Sequence, residues 1–253
     1  MSSQEALAKL VGMSRNLCEP ERDFVILGEG NTSARASEAS YWIKASGFHL
    51  NHIPENGFVE LNFEPVLDLI NREGVADADF TRQLEEAKVD PTMKVRPSVE
   101  ATMHAVIYHL CGADFIGHTH PTVVNAFLCS ADGPELLKGR LFPDHIVFCG
   151  KVPVIIPYIE PGLPLARAIK RALEDHLDQY GEAPKTIFMQ NHGLIALAKT
   201  ASEVESITAM CVKACRVLQG AAALGGVRFM TQADVDRIHT HPSELYRRKQ
   251  AGF

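Results

Sequence analysis

Short runs of β-branched and aromatic residues alternate along this chain with longer stretches in which apolar residues return every three or four positions. This alternation, more than any other feature, narrows what the chain can fold into. Strand-like runs lie at Phe24 to Leu27, Tyr41 to Lys44, Asp114 to His120, His145 to Cys149, Val152 to Tyr158, Thr186 to Gln190 and Leu194 to Ala198. Helical spacing is carried by Leu7, Leu10, Val11 and Leu17, by the segment from Pro65 to Arg72, and by Val123 to Ser130. It recurs at Leu163 to Tyr180, where Leu165, Ile169, Leu173 and Leu177 share a face, and at Ser202 to Leu224 behind the capping box Thr200-x-x-Glu203. The segment from Ser98 to Cys111 has Pro97 near its start and Gly112 just past its end, the expected punctuation of a helix. Two stretches break the rhythm. His49 to Asn62 is polar and contains Gly and Asn, while Asp77 to Arg96 is charged, weakly periodic and expected to be a mobile loop. Strands interleaved with helices predict an α/β fold, a three-layer α/β/α sandwich around one mixed central sheet. The mixture is expected because the connections between Val147 and Val154, and between Gln190 and Leu194, are short enough for antiparallel pairing.

With 253 residues and 46% hydrophobic content the chain can bury one sizeable core, and residues 1–253 are read as one domain. No apolar run is long enough to span a bilayer, and the most apolar one, Val152 to Ile159, contains Pro153 and Pro157. The first ten residues lack the basic-then-apolar layout of a signal peptide, so a cytoplasmic protein with no membrane partner is expected. A net charge of −6 argues against a nucleic-acid partner, since the one dense basic run is Arg247-Arg248-Lys249 at the tail. Six cysteines scattered without C-x-x-C spacing read as buried apolar side chains in a reducing compartment.

The residues able to carry chemistry are histidines and one carboxylate. His118 and His120 sit two apart on an expected strand, which turns both side chains to one face, close enough to share an ion. His239-Thr-His241-Pro242 repeats the same tetrapeptide in a polar tail and reads as surface. His192 stands where a strand ends at Gly193, a plausible origin for a third ligand, and Glu100 opens a helix on the same face as His104. By itself Glu100 would be read as an acid placed favourably at a helix N-terminus. The turn Gly28-Glu-Gly-Asn-Thr-Ser33 lacks the third glycine of a dinucleotide fingerprint, which weakens a nicotinamide reading.

Four motifs in order resemble the class II aldolase/adducin family: Gly30-Asn31, Ser46-Gly47, Ser98-x-Glu100-x-x-x-His104, and His118-Thr-His120 with Asn191-His192-Gly193 downstream. That resemblance implies His118, His120 and His192 as ligands of one divalent metal, zinc first and manganese or a similar ion second, with Glu100 as the acid/base residue. It also implies a sugar or sugar-phosphate substrate, whose anionic group Asn31, Ser46, Gly47 and Ser98 would bind. Val99 stands where a second serine is usual, and Lys44 or Lys94 is expected to compensate. A homo-oligomer, a tetramer, is implied too, with Tyr246 a candidate acid reaching across a subunit boundary. The expected reaction is metal-dependent aldol cleavage of a ketose or ketose phosphate through a stabilised enediolate. The same residues would also serve a decarboxylase or a sugar-phosphate 4-epimerase, and an adducin-like binding module without catalysis is the non-enzyme rival.

Overall fold

The structure, a computed structural model, describes residues 1–244 and 246. Seven strands form one sheet: β1 (Asn31–Arg35), β2 (Ser40–Lys44), β3 (Phe58–Asn62), β4 (Phe115–Thr119), β5 (Val154–Ile156), β6 (Thr186–Met189) and β7 (Gly193–Ala198). Their order is β3-β2-β1-β4-β7-β6-β5. Every neighbouring pair is antiparallel except β5 and β6, so the sheet is mixed as expected. The β6–β7 hairpin realises the short Gln190–Leu194 connection.

Helices cover both faces. On one side lie α2 (Phe63–Asn71), α3 (Asp77–Glu86), α4 (Ala101–Cys111) and α8 (Leu163–Tyr180), whose inward faces bury Leu69, Phe80, Val106 and Ile169 with Ile43, Ile116 and Ile195 of the sheet. The other side carries α1 (Ser3–Leu17), α5 (Thr122–Leu128), α6 (Gly133–Lys138), α7 (Pro143–Cys149) and α9 (Ala201–Ala223), closing over Ala34, Phe115, Phe188 and Ala196. A further helix, α10 (Gln232–Thr240), follows α9. The layers follow from strand alternation: in β1, Asn31 and Ser33 face α4, while Thr32 meets Ser14 of α1 and Ala34 joins the second core.

Several local expectations are corrected. His145 to Cys149 is helical, because Pro143 at the first helical turn and Asp144 beside it start α7, and Ile146, Val147 and Cys149 are buried. With that strand gone, the Val147–Val154 hairpin does not exist, and β5 instead lies parallel to β6. Phe24 to Leu27 forms no strand: Phe24 and Val25 anchor in the core, while Ile26 and Leu27 are exposed and Leu27 takes a left-handed conformation at φ 51°. The expected turn ending at Ser33 continues directly into β1. The polar stretch from His49 to Asn62 ends in strand β3, and the charged segment from Asp77 to Arg96 contains α3, held by Phe80 and Leu84. The basic run Arg247-Arg248-Lys249 lies outside the described residues.

Candidate metal centre

Three central elements end together. Strand β4 lies between β1 and β7, with His118 opposite Asn31 on one side and Ile195 on the other. Period two brings His120, just beyond β4, round to the side of His118, and their Nε2 atoms are 3.0 Å apart. His192 comes from the tight β6–β7 turn, where Asn191 adopts φ 52° and Asn125 donates to the His192 carbonyl at 3.1 Å. Its Nε2 lies 3.2 Å from that of His118. Gly193 is required beside it, since a Cβ there would meet His120 Cδ2 and the Thr119 carbonyl at 2.6 Å each. Gly30 meets a similar demand, combining φ 69° with a hypothetical Cβ only 2.7 Å from the His118 carbonyl.

The His118 and His120 rings are held by their Nδ1 atoms. His118 Nδ1 donates to the Leu194 carbonyl at 3.1 Å, and His120 Nδ1 lies 3.3 Å from Glu29 Oε2, so each ring has its Nε2 free of a proton. Glu29 is itself tied by its Oε1, which accepts from the Ile26 N–H at 2.8 Å. Burial pushes His118 well below the ordinary histidine range, and burial followed by the neighbouring His192 lowers His120, so both are neutral at pH 7. A tetrahedral zinc with nitrogens at about 2.0–2.1 Å needs nitrogen–nitrogen edges of roughly 3.3 Å. The two edges at His118, 3.0 and 3.2 Å, are close to that value, and all three ligand atoms lie within 4.8 Å of one another. Among the described residues, His118, His120 and His192 are the one group of three or more His, Cys, Asp or Glu gathered closely enough to hold a metal. His239 is engaged with Glu182 instead.

Glu100 occupies the N-cap of α4 but makes no side-chain cap; its carboxylate turns into the site. Oε1 lies 3.2 Å from His192 Nε2 and Oε2 is 3.6 Å from His118 Nε2. Burial works against ionisation of this carboxyl, while the N–H that Asn31 donates to Oε2 favours the carboxylate form. Asn31 is buried, with Nδ2 donating to Glu100 Oε2 and Oδ1 2.6 Å from His104 Nε2. Ser98 Oγ accepts from the Glu100 N–H at 3.2 Å. Ser46 and Gly47 are exposed and stand beside the start of α4, because Ala45 bridges Pro97 and the Ser46 N–H reaches the Arg96 carbonyl at 2.8 Å. Lys44 is buried with its Nζ 3.4 Å from the Gly28 carbonyl, Lys94 is exposed, and Tyr246 is 64% exposed. The sequence reading missed Glu29, which the loop between Gly28 and Asn31 carries to within 3.3 Å of His120 Nδ1.

Residues 8–219 match the family Class II Aldolase and Adducin N-terminal domain. The chain belongs to this family. A similar curated protein is the "Uncharacterized oxidoreductase YuxG" of Bacillus subtilis (strain 168), 23% identical over 201 residues, which are 76% of this chain. The chain spans only 26% of that relative's length. Among solved structures, an L-fuculose 1-phosphate aldolase superposes with a TM-score of 0.70 at 19% identity, covering 94% of this chain and 96% of its own. YgbL of Klebsiella pneumoniae, described as a putative aldolase/epimerase/decarboxylase, gives 0.70 at 17% identity, with 94% and 99% covered. These likenesses establish the class II aldolase fold for this α/β sandwich.

Proposed function

We propose that the protein is a divalent-metal lyase that reversibly cleaves a ketose or ketose phosphate by aldol chemistry. The observation that carries this reading is the meeting of three imidazole Nε2 atoms at edges of 3.0 and 3.2 Å with the Glu100 carboxylate alongside. His118, His120 and His192 would hold the ion, zinc or a similar divalent metal, which when bound supplies Lewis acidity toward a substrate carbonyl. Asn31 holds Glu100 Oε2, so Oε1 is the atom that exchanges a proton with the substrate carbon beside the carbonyl. Exposed Ser46 and Gly47, the α4 N-terminus at Ser98 and the second N–H of Asn31 offer donors to an anionic substrate group. Lys44 supports the same use: it is a buried ammonium with three donors whose recorded bond is a long one of 3.4 Å. It would offset the hydroxyl lost at Val99. Tyr246, exposed, is the candidate acid for a neighbouring subunit's site.

The test is a screen of the zinc-loaded protein against phosphorylated and free ketoses with aldehyde release as readout, repeated with Glu100→Gln. The variant should keep its zinc by elemental analysis and lose roughly 10²- to 10⁴-fold in turnover, the usual worth of a positioned acid/base group. Undiminished turnover would remove Glu100 from the mechanism. Release of carbon dioxide or an inverted sugar in place of aldehyde would reassign the site to a decarboxylase or 4-epimerase. Protein that binds no metal would point to the adducin-like module.

A further inference from the structure

Behind Glu100 and Asn31 runs a buried line of side chains, His104, Ser33 and Tyr108, that the proposed reaction does not itself use. Glu100, His104 and Tyr108 are spaced by four from the N-cap of α4 toward its last turn, and Asn31 and Ser33 are spaced by two along β1. Four helical residues rise about 6 Å and two strand residues about 6.6 Å, so the two ladders interdigitate without strain. The resulting order is Glu100, Asn31, His104, Ser33, Tyr108. Its links are Asn31 Nδ2 to Glu100 Oε2 at 2.5 Å, Asn31 Oδ1 with His104 Nε2 at 2.6 Å, His104 Nδ1 with Ser33 Oγ at 2.6 Å, and Ser33 Oγ with Tyr108 OH at 2.7 Å. Ser33 and His104 are fully buried and Tyr108 is 1% exposed, so water does not compete along the line.

The direction of every bond follows from one end. An ionised carboxylate only accepts, so Asn31 must turn its N–H edge to Glu100 and its oxygen to His104. That oxygen requires a proton on His104 Nε2. A neutral ring then has a bare Nδ1, which accepts from the Ser33 hydroxyl, whose own oxygen accepts from Tyr108. Reversing any one group would set two acceptors or two donors against each other in a buried space.

Resting on the acid/base reading of Glu100, we propose that His104 is a positioning residue: as the neutral Nε2–H tautomer, backed by Ser33 and Tyr108, it locks the Asn31 amide with its N–H edge toward Glu100. The locked amide keeps Oε2 engaged and leaves Oε1 as the working oxygen. Without the His104 proton donor the amide can rotate, and the carboxylate loses its fixed aim although the three imidazoles are untouched.

The direct measurement is nitrogen-15 NMR of the zinc-loaded, full-length protein labelled in its histidine rings. His104 should carry its proton on Nε2, with Nδ1 bare; a proton on Nδ1 overturns the proposal. The functional measurement compares His104→Gln, whose amide N–H can replace the Nε2 donor, with His104→Leu, which cannot donate. Both should retain zinc by elemental analysis. On a substrate from the screen, His104→Leu should lower kcat by about 10- to 100-fold with KM nearly unchanged, the scale of losing a supporting hydrogen-bond partner. His104→Gln should recover most of that loss. Equal losses in the two variants, or none in His104→Leu, overturn it. If Glu100→Gln proves fully active, the acid/base reading fails by itself, and the tautomer still decides how the amide is held. If Glu100→Gln is dead and His104 carries Nδ1–H, the positioning proposal fails alone. Should His104→Leu not fold, Ser33→Ala and the wild-type tautomer supply the same decision, since loss of the Ser33 donor should release the Nε2–H preference.

Discussion

At the residue scale, the site is built as much by what holds the imidazoles as by the imidazoles themselves. Glu29 fixes the His120 ring through Nδ1 at 3.3 Å, and such carboxylate–histidine contacts set both ring orientation and ligand basicity. Glu29→Gln should therefore weaken zinc binding by about 10- to 100-fold while leaving the fold intact. Competition titration with a chromophoric chelator checks this, and an unchanged affinity would make the contact incidental. Glu29 was not legible as a participant because a side chain's reach to His120, far along the chain, is set by the loop's path and not by local spacing.

The elements most responsible for the site are the β4 and β7 ends, which must come close enough for three rings to converge. Gly193 opens β7 directly against Thr119 and the His120 ring. In Gly193→Ala the added methyl would meet the Thr119 carbonyl, a backbone atom that cannot swing aside. Expected are a stability loss of about 1–3 kcal/mol from overpacking and a zinc affinity at least tenfold lower as the imidazoles are pushed apart. Urea unfolding and zinc titration measure the two, and a variant matching wild type in both would show that the pairing has slack. Elements whose character rests on period were readable: α4, α8, α9, β4, β6 and β7 all follow their apolar spacing. Those read wrongly were the short apolar runs at Phe24 to Leu27 and His145 to Cys149 and the polar or charged stretches that hold β3 and α3. Four or five apolar residues fit either period, and neighbours decide, as Pro143 and Asp144 did for α7.

At the scale of the whole molecule, burial of neutral imidazoles ties stability to pH. Burial lowers His118, His120, His145 and His176 and pushes His104 down to about 4. For a folded pKa below the unfolded one, the unfolded chain binds more protons between the two. For His104 the contribution to stability is thus complete above about pH 6.5 and is lost as pH falls toward 4, and the other buried rings act in the same direction. His104 alone accounts for about 3 kcal/mol across that window. Urea midpoints of metal-free protein should fall steeply between pH 7 and 5, less so in His104→Gln, and a flat profile would contradict the buried neutral rings. No described helix is long and apolar enough to cross a membrane. Ile26, Leu27, Val99, Tyr158 and Tyr246 are exposed, and the homo-oligomer proposed above is open to a direct test. Light scattering should give a tetramer at micromolar concentration; a monomer would also end the role suggested for Tyr246.

Local periodicity was enough to indicate the layered α/β architecture and to put His118 and His120 on one face, because each depends on residues a few positions apart, whereas His192 and Glu100 were singled out through the family resemblance. The strand order β3-β2-β1-β4-β7-β6-β5 came only from tertiary packing, and so did the clamp of Glu29 on His120 and the hydrogen-bonded line from Tyr108 to Glu100. These join residues about 70 to 90 positions apart, such as Asn31 to Glu100 and Glu29 to His120, across a sheet whose pairing is chosen by the burial of both its faces. No single stretch of the chain contains that choice.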